Sequence, residues 1–395
     1  MIVPRSNTEN WPQQAWLEIN LDAITHNTYV LNKIVPNADL LAVVKANAAG
    51  LGVLPIATAA VSGGACAIGV FNVDEAEQLR QFGFSGRILI MGYFSPQDAA
   101  RVIELNVAAS VSHMDVLLAL ANAAADSSTQ IDVHVKMDVG MYRAGAVEST
   151  AIALANAAKD MGSVRLEGFW THFPSADEPD PEDTERRFRN FLAVASEIVV
   201  PIRHVANTAT ILRFPKMALE MVRPGAGVYG IAPGVTGPIG VHDLRSVFSW
   251  KALIVQLHDV SKGESVSYGG TWTAERDSRI AVVAVGYSDG FRRSLSNRGS
   301  MLVGGFRAPV VGTVCMDMCL LDMTDGPVVK IGDSAIIIVV SGEAEITLAS
   351  FADSIGTIPY EVCTSLGPRM PRIYLRNGKP EMIQTVLDSA PMFYQ

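Results

Sequence analysis

The feature of this sequence that most restricts its fold is a long alternation of apolar, strand-like runs with amphipathic stretches between residue 40 and about residue 230. Eight apolar runs begin near Leu40, Cys66, Arg87, Val107, Ile131, Val164, Ile202 and Met221. Most are separated by helix-like stretches at 73–82, 96–105, 114–125, 150–161 and 184–198. Such alternation indicates a parallel sheet covered by helices. Eight units favour a closed (β/α)8 barrel, the TIM-type α/β fold, over an open sheet.

The pattern changes after about residue 241. Strand-like runs then follow one another with few helices, at 251–257, 280–285, 301–303, 310–314, 319–322 and 335–340. Turns at Gly269-Gly270 and Gly304-Gly305 separate some of them, and Thr347 is suited to cap a short helix over 348–355. This predicts a C-terminal, mainly antiparallel β domain. The 395 residues are therefore expected to form a barrel over 1–241 and a β domain over 242–395.

Charge and cysteine content narrow the functional classes. The net charge of −9 and the isoelectric point near 5.3 argue against binding to nucleic acid or to an anionic membrane. No apolar run suits a membrane span, and the N-terminal residues lack the apolar stretch of a signal peptide. Four scattered cysteines without metal-site spacing favour the reducing cytoplasm. We expect a cytoplasmic protein without a metal, a nucleic-acid partner or a membrane partner.

Polar residues recur where the predicted barrel strands end. The segments are Lys45-Ala46-Asn47, the stretch from His134 through Lys136 to Gly145, Trp170-Thr171-His172, the stretch from His204 to Thr208, and Arg223-Pro224-Gly225. One strand-end lysine or histidine alone is more often structural than functional. In a (β/α)8 barrel, however, the active site lies at the C-terminal ends of the strands. Five such segments therefore predict a functional site at that end.

Lys45 suggests the chemistry of this site. It follows the apolar run 40–44, where desolvation would lower the pKa of its amine, and a neutral amine can bond to an aldehyde carbon. The Thr208 hydroxyl and the backbone N–H groups of Gly225 and Ala226 are suited to hold a phosphate, which this barrel often binds after its seventh and eighth strands. Pyridoxal 5′-phosphate (PLP) combines an aldehyde, an aromatic ring and a phosphate.

The same residues lie in segments that resemble the alanine racemases, which are fold-type III, PLP-dependent enzymes. The matching segments are 42–48 (AVVKANA), 136–145 (KMDVGMYRAG), 171–173 (THF), 206–208 (ANT), 222–225 (VRPG), 267–269 (SYG), 285–290 (VGYSDG) and 314–318 (VCMDM). They occur in the family's order over nearly the whole chain. The resemblance implies a homodimeric isomerase that converts L-alanine to D-alanine for peptidoglycan.

The resemblance implies two catalytic bases. Lys45 would bind the cofactor covalently and act on one face of the substrate. Tyr268 would act on the opposite face, delivered by the β domain of the second subunit. Racemisation needs two such groups, because one removes the α-proton and the other returns a proton from the other side. The dimer would therefore share its active sites.

The resemblance also implies a set of cofactor contacts. Arg223 would face the pyridine nitrogen, with His172 hydrogen-bonded to Arg223. A guanidinium cannot accept a proton, so the ring nitrogen would stay neutral, and side reactions such as transamination would be limited. The remaining cofactor-binding residues would be Asn207, Thr208, Gly225 and Ala226.

Other residues would serve the substrate. Arg143 would lie near the cofactor's phenolic oxygen and the substrate carboxylate, which the backbone around Met316 of the second subunit would also contact. Lys136 matches a lysine that is often carbamylated in the family, and the resulting anion would orient Arg143. The alternative for Lys136 is a barrel-interior lysine paired with an acid. Tyr287 and Arg293 match positions along the passage to the site.

The sequence departs from the family pattern just after the lysine. Ala49 stands where the family usually has a tyrosine whose hydroxyl helps to hold the phosphate, and Leu51 stands where many members have histidine. Pro368 corresponds to a second phosphate-contacting tyrosine of some members. A hydrogen bond to a charged group contributes about 1.5–3 kcal/mol. We expect weaker cofactor retention and a roomier mouth, not loss of function.

Three alternatives stay open. A serine racemase or a broad-specificity racemase of the same fold would differ in pocket size, and the room beside Ala49 would suit larger side chains. A basic amino-acid decarboxylase shares the two-domain plan, but such enzymes resemble a class with glutamate where Arg223 stands. A non-enzymatic PLP carrier would resemble the barrel alone, whereas Tyr268 and Met316 serve catalysis.

Overall fold

The computed structural model describes residues 14–233, 243–339 and 346–385. Within them, one compact unit lies between residues 23 and 245. The second unit combines residues 14–22, which include strand β1 (Ala15–Asn20), with the described residues from 246 onward. The predicted domain boundary between residues 241 and 242 falls outside the described residues.

The first unit is the predicted barrel. Its parallel strands are β2 (Asp39–Val43), β3 (Ala67–Val70), β4 (Arg87–Ile90), β5 (Ala108–Val111), β6 (Ile131–Lys136), β7 (Val164–Trp170), β8 (Ile202–His204) and β9 (Met221–Val222). They form one eight-stranded sheet in the order β8-β7-β6-β5-β4-β3-β2-β9. The two end strands meet where the Arg223 N–H donates to the Ala206 carbonyl at 2.8 Å, so the barrel is nearly closed. Apolar side chains fill one layer of its interior, namely Leu41, Ala67, Leu89, Ala108 and Met221.

Helices follow the strands. In chain order they are Leu21–Ile34, Val53–Ser62, Val73–Gln81, Ala99–Glu104, Met114–Asp126, Glu148–Asp160, Glu182–Ala195 and Thr208–Arg213. Five of them match the stretches predicted from the periodicity, whereas Leu21–Ile34, Val53–Ser62 and Thr208–Arg213 were not predicted. Gly83 and Asn106, each with a positive φ, lie just beyond the ends of two of them, Val73–Gln81 and Ala99–Glu104. Met114–Asp126 buries one apolar stripe, which explains how helices of this kind cover the sheet. No helix in the described ranges is long and apolar enough to cross a membrane.

The second unit is the predicted, mainly antiparallel β unit. After β1 its strands are β10 (Phe248–Val260), β11 (Ser265–Val266), β12 (Trp272–Thr273), β13 (Ser278–Val283), β14 (Ser300–Val303), β15 (Phe306–Pro309), β16 (Cys319–Asp322), β17 (Ser334–Ile338), β18 (Arg372–Arg376) and β19 (Lys379–Gln384). Nine of them form one sheet in the order β15-β14-β17-β10-β1-β18-β19, with β13 between β10 and β16; β11 and β12 pair separately. The short helices Leu348–Ser354 and Pro359–Thr364 follow, and Thr347 caps the first as predicted.

Two predictions about this unit are wrong. Residues 14–22 were assigned to the barrel, but β1 pairs antiparallel with β10 and parallel with β18. The pairing joins Ala15 to Ala252, and so distant a partner leaves no local signal in the sequence. The strand predicted over 310–314 is not formed in this described stretch; the strand lies earlier, as β15 over Phe306–Pro309. Gly304 and Gly305, with φ of 57° and 83°, form a two-residue turn directly after β14, so β15 begins at the next residue.

Candidate active site

The C-terminal edge of the barrel collects the polar side chains predicted there. The strand register places Lys136 beside Trp170, and Trp170 beside His204. Arg223 directly follows β9. Because parallel strands end at one edge, these groups and Lys45 converge on the same mouth. The structure thus brings together the predicted residues of the first unit, whereas Tyr268, Met316, Tyr287 and Arg293 belong to the second.

Lys45 begins a turn with a left-handed backbone. Residues 46–49 have φ between 52° and 55°, a conformation that costs an L-residue roughly 1–2 kcal/mol. Glu75 holds the turn, because its carboxylate accepts from the N–H groups of Ala46 at 2.7 Å and Phe71 at 2.6 Å. Partial desolvation, and then the positive charge of Arg143, lower the pKa of Lys45. Both effects increase the neutral amine form that can attack an aldehyde.

Arg223 is buried at this mouth with one nitrogen unused. Its Nη1 donates to His204 Nδ1 at 3.1 Å, and its Nη2 donates to the Thr171 carbonyl at 2.7 Å. Its Nε is buried and has no hydrogen-bond partner among the described residues. Burial lowers the pKa of Arg223 to about 9, which leaves the guanidinium charged at neutral pH. An unpaired buried donor is unfavourable, so this N–H is available to an acceptor that a ligand brings to the mouth.

The predicted hydrogen bond from His172 to Arg223 is not formed. His204 takes that place, because its ring stacks on Trp170 at a centroid distance of 5.4 Å and an angle of 6°, which fixes the direction of Nδ1. His172 remains in the same neighbourhood. Burial, followed by the charges of Arg223 and Arg143, lowers the pKa of His172 to about 3. His172 is therefore neutral at physiological pH.

Lys136 is a barrel-interior lysine without an acidic partner. Its side chain is 7% exposed, and Nζ lies 4.2 Å from the centroid of the Trp170 ring. Desolvation, then the charges of Arg223 and Arg143, lower the pKa of Lys136 to about 8. Asp138 opposes this shift more weakly, and Lys136 forms no salt bridge within the described chain. The expected alternative of an acid-paired lysine is therefore not what the structure contains.

Thr208 and the turn after β9 form the edge predicted to hold a phosphate. The Thr208 hydroxyl oxygen accepts from the N–H groups of Gly225 at 3.2 Å and Gly227 at 3.1 Å. A short 3-10 helix, Ala226–Tyr229, begins at this point, so its first N–H groups have no acceptor within the helix. Asn207 caps the preceding helix with its side-chain oxygen. The Gly225 and Gly227 N–H groups are thus already paired with Thr208, and the edge offers the Ala226 N–H and the Thr208 hydroxyl proton as further donors.

Arg143 lies on the exposed loop that follows β6. Asp138 shapes this loop, since one carboxylate oxygen accepts two of the loop's N–H groups at 2.5 and 3.0 Å. The charge of Arg143 contributes to the lowered pKa of Lys45, Lys136 and His172. It therefore adds to a concentration of positive charge suited to an anionic ligand.

In the second unit, the predicted base lies on a strained loop. Ser267 has a φ of 63°, and its hydroxyl donates to the Thr313 carbonyl at 2.6 Å. The Thr313 hydroxyl in turn donates to the Tyr268 carbonyl at 2.9 Å. The backbone at Tyr268 is thus fixed, while its side chain is 73% exposed in the single chain.

The Met316 backbone is fixed by the loop over 286–288. Its carbonyl accepts from the Ser288 N–H at 3.0 Å and the Ser288 hydroxyl at 2.7 Å. A Cβ atom on Gly286 would lie only 2.3 Å from that oxygen, so only glycine fits. Met316 is 53% exposed. Tyr287 and Arg293 each begin a short 3-10 turn of this unit.

His134, Trp170 and His204 lie in the predicted strand-end segments but were given no role from the sequence, and Glu75 and Glu167 were not identified from it at all. His134 and Lys136 lie two residues apart on β6, so they share the strand face that points into the barrel. That spacing could have suggested a role for His134 inside the barrel. Glu75 lies in an ordinary acidic first helical turn, and nothing in the sequence connects it with Lys45.

Comparison with known proteins assigns the family. The profiles "Alanine racemase, N-terminal domain" and "Alanine racemase, C-terminal domain" match residues 19–233 and 247–374. The alanine racemase of Desulforamulus reducens is 38% identical over 367 residues, which are 91% of this chain and 98% of the relative. The crystal structure of alanine racemase from Bacillus anthracis with bound L-Ala-P has a TM-score of 0.88 at 30% identity and covers 96% of this chain and 100% of its own. The crystal structure of alanine racemase from Bartonella henselae with covalently bound pyridoxal phosphate has a TM-score of 0.83 at 26% identity. It covers 92% of this chain and 100% of its own. The chain belongs to the alanine racemase family of PLP-dependent amino-acid racemases.

Proposed function

We propose that the protein interconverts L-alanine and D-alanine with two opposed bases, Lys45 and Tyr268 of the partner subunit. The observation that carries this proposal is the unpaired, buried Nε of Arg223, at the mouth that also holds Lys45. A pyridine nitrogen is an acceptor of the kind that this donor lacks. The Thr208 hydroxyl proton and the Ala226 N–H, held beside each other by the turn at Gly225, suit the phosphate of the same cofactor. The residues present therefore fit PLP.

Each residue has a defined task in this proposal. When bound, PLP withdraws electrons from the α-carbon of the substrate and makes its proton removable. The Lys45 amine takes or returns that proton on one face, and the Tyr268 hydroxyl does so on the other. Arg143 and the backbone at Met316 orient the substrate carboxylate. His172 and Asn207 complete the cofactor surroundings, and Tyr287 and Arg293 line the passage to the site.

Lys136 is proposed to be carbamylated in the working enzyme. A carbamate forms from the neutral amine, and a pKa of about 8 gives Lys136 a substantial neutral fraction near pH 7–8. The negative carbamate would relieve the repulsion among Lys136, Arg223 and Arg143. It would then orient Arg143 towards the substrate. A mass increase of one CO2 on the Lys136 peptide, labile in acid, would identify it.

Tyr268→Phe tests the two-base assignment. The variant should lose racemisation by roughly 100-fold or more in kcat/KM from both enantiomers, since general acid–base catalysis contributes about 10²–10⁴ and the two directions are tied by an equilibrium constant of one. Cofactor absorbance should stay unchanged. Tyr29→Phe removes the same hydroxyl from an exposed helical tyrosine and serves as the control. Rates that match the control in both directions would refute the role of Tyr268.

Mixing two inactive variants tests the shared dimer. Lys45→Ala and Tyr268→Phe are each expected to be inactive alone. If each site takes Lys45 from one subunit and Tyr268 from the other, one site of every mixed dimer is intact. Equal mixing after subunit exchange should then restore roughly a quarter of wild-type activity. Activity that stays at the level of the parents would indicate that each site is built within one chain.

Ala49 is the observation that favours a broader substrate range as the second candidate. A screen of purified protein against the common L-amino acids decides between them. Racemisation confined to alanine supports the first proposal, whereas comparable rates on larger side chains support the second. We also propose a cytoplasmic location, consistent with the four cysteines, which form no disulfide.

A further inference from the structure

A buried chain of hydrogen bonds leads from Arg223 through the barrel. Arg223 Nη1 lies 3.1 Å from His204 Nδ1, and His204 Nε2 lies 2.8 Å from His134 Nδ1. His134 Nε2 lies 2.9 Å from a carboxylate oxygen of Glu167. All four side chains are buried. Three of them, His204, His134 and Glu167, have no task in the function proposed above.

The carboxylate at the end of the chain fixes the direction of every bond. Ionised Glu167 can only accept, so His134 must donate from Nε2 and, being neutral, keeps a bare Nδ1. His204 therefore donates from Nε2 and presents a bare Nδ1 to Arg223. Burial lowers the pKa of both imidazoles, to about 3 for His134, and so keeps them neutral. His204 Nδ1 is then the acceptor for the N–H of Arg223 Nη1.

Neighbouring residues keep Glu167 charged and leave room for His134, and so make this chain of hydrogen bonds possible. Glu167 forms ion pairs with Arg87 and, at 3.6 Å, with Arg165, so the buried carboxylate stays ionised. Gly168 leaves room for His134, since a Cβ there would lie 1.9 Å from His134 Nδ1. Without Glu167, nothing would prevent His134 and His204 from carrying their protons on Nδ1. The His204 proton would then face the Arg223 N–H, and two donors repel each other.

We propose that Glu167 is a positioning residue that acts through His134 and His204 to hold Arg223 with its Nε directed at the cofactor nitrogen. This inference rests on the proposed role of Arg223. The ion-paired Glu167 inside the barrel would thus influence how strongly the bound cofactor withdraws electrons from the substrate. The influence depends on proton direction, not on packing alone.

Glu167→Gln tests the direction separately from the packing. Glutamine has nearly the same shape but can donate as well as accept, so the direction is no longer imposed. Asp132→Asn is the matched control. Asp132 pairs with Arg165 at 2.5 and 2.6 Å near Glu167, yet neither histidine is among its hydrogen-bond partners. Both variants lose one negative charge from the same group of ion pairs.

Two nitrogen-15 NMR measurements provide the readout. In the cofactor-free protein, the ring shifts of His134 and His204 should indicate protons on Nε2 in wild type and in Asp132→Asn, and mixed tautomers in Glu167→Gln. In holoenzyme with nitrogen-15 PLP, the ring-nitrogen signal of Glu167→Gln should move towards that of pyridine without a hydrogen bond. Its kcat should fall about tenfold with KM unchanged, because a displaced group costs rate more than binding.

Each other outcome overturns the inference in an identifiable way. Wild-type protons on Nδ1, or Glu167→Gln shifts that coincide with those of Asp132→Asn, would refute the directed chain. Altered tautomers with an unmoved cofactor signal would refute the positioning role. A pyridinium signal in wild-type holoenzyme would instead refute the Arg223 assignment, and the positioning role with it, while the tautomers are still measured independently. Should Glu167→Gln fail to fold, Gly168→Ala displaces His134 Nδ1 and should produce the same cofactor shift.

Discussion

The two units present their candidate site residues in opposite ways. In the barrel, Arg223 and Lys136 are buried, and the hydrogen bonds of Arg223 are satisfied except at Nε. In the β unit, Tyr268 and Met316 have fixed backbones but largely exposed side chains. Buried donors that lack an acceptor are suited to bind a small ligand. Exposed side chains on rigid loops are suited to contact the surface of another molecule. Changes in the barrel should therefore alter the surroundings of the cofactor or the stability of the protein, whereas changes in the β unit should alter turnover and leave the cofactor undisturbed.

Gly286→Ala should give the largest effect and act on turnover alone. Its Cβ would meet the carbonyl oxygens of Met316 at 2.3 Å and Cys315 at 2.4 Å, so the loop that carries Met316 must move. A misplacement of about 1 Å can cost roughly 100-fold in rate. We expect kcat/KM to fall by at least about that factor with unchanged cofactor absorbance. Gly162→Ala, which has open space around its Cβ, is the control. Loss of cofactor in Gly286→Ala would contradict the division of tasks.

Lys136→Met should stabilise the cofactor-free barrel at neutral pH. The pKa of Lys136 is about 8 in the folded protein, below the ordinary value of 10.5, so folding opposes its charge. That cost is complete below pH 8 and disappears as the pH rises towards 10.5. We expect a gain of about 2 kcal/mol in the free energy of unfolding at pH 7, after allowing for relaxation around the charge.

Urea unfolding in CO2-free buffer at pH 7 and pH 10 measures this gain. It should shrink at the higher pH, because the wild-type amine is then neutral in the folded protein. Lys159→Met, at an exposed position in the helix Glu148–Asp160, should change little at either pH. A gain that is the same at both pH values would show that packing, not charge, causes it. The lowered pKa of Lys136 would then be wrong.

Ala49→Tyr should tighten the cofactor. The resemblance implies a phosphate-holding tyrosine at this position, and a hydrogen bond to a charged group contributes about 1.5 kcal/mol at the lower end of the usual range. Ala49 already has a φ of 53°, so tyrosine introduces no new backbone conformation. We expect cofactor release roughly tenfold slower, measured by transfer of PLP to an apo-acceptor protein. An unchanged release rate would refute the account of Ala49.

Features that depend on neighbouring residues could be predicted from the sequence, whereas features that depend on distant partners could not. The barrel strands were predicted well, because each apolar run and each helix cap is a local signal. The pairing of β1 with β10 and the start of β15 were not, because both depend on distant partners or on one turn's geometry. In the site, strand ends identified Lys45 and Arg223. The choice of His204 over His172 depends on stacking against Trp170, which spacing along the chain does not encode.

Ala46→Gly should give the smallest effect, and its sign tests whether the barrel stores strain beside Lys45. Ala46 is exposed with a φ of 55°, so glycine removes a left-handed penalty without creating a cavity. Glycine's greater freedom in the unfolded chain offsets part of this, leaving a net gain of about 0.5 kcal/mol in the free energy of unfolding. Ala153→Gly, at an exposed position in the right-handed helix Glu148–Asp160, should instead cost about 0.5–1 kcal/mol. Urea unfolding of both variants compares one substitution in two backbone conformations. If both variants were destabilised equally, the turn would carry no strain, and Glu75 would not be needed to hold Lys45 in place.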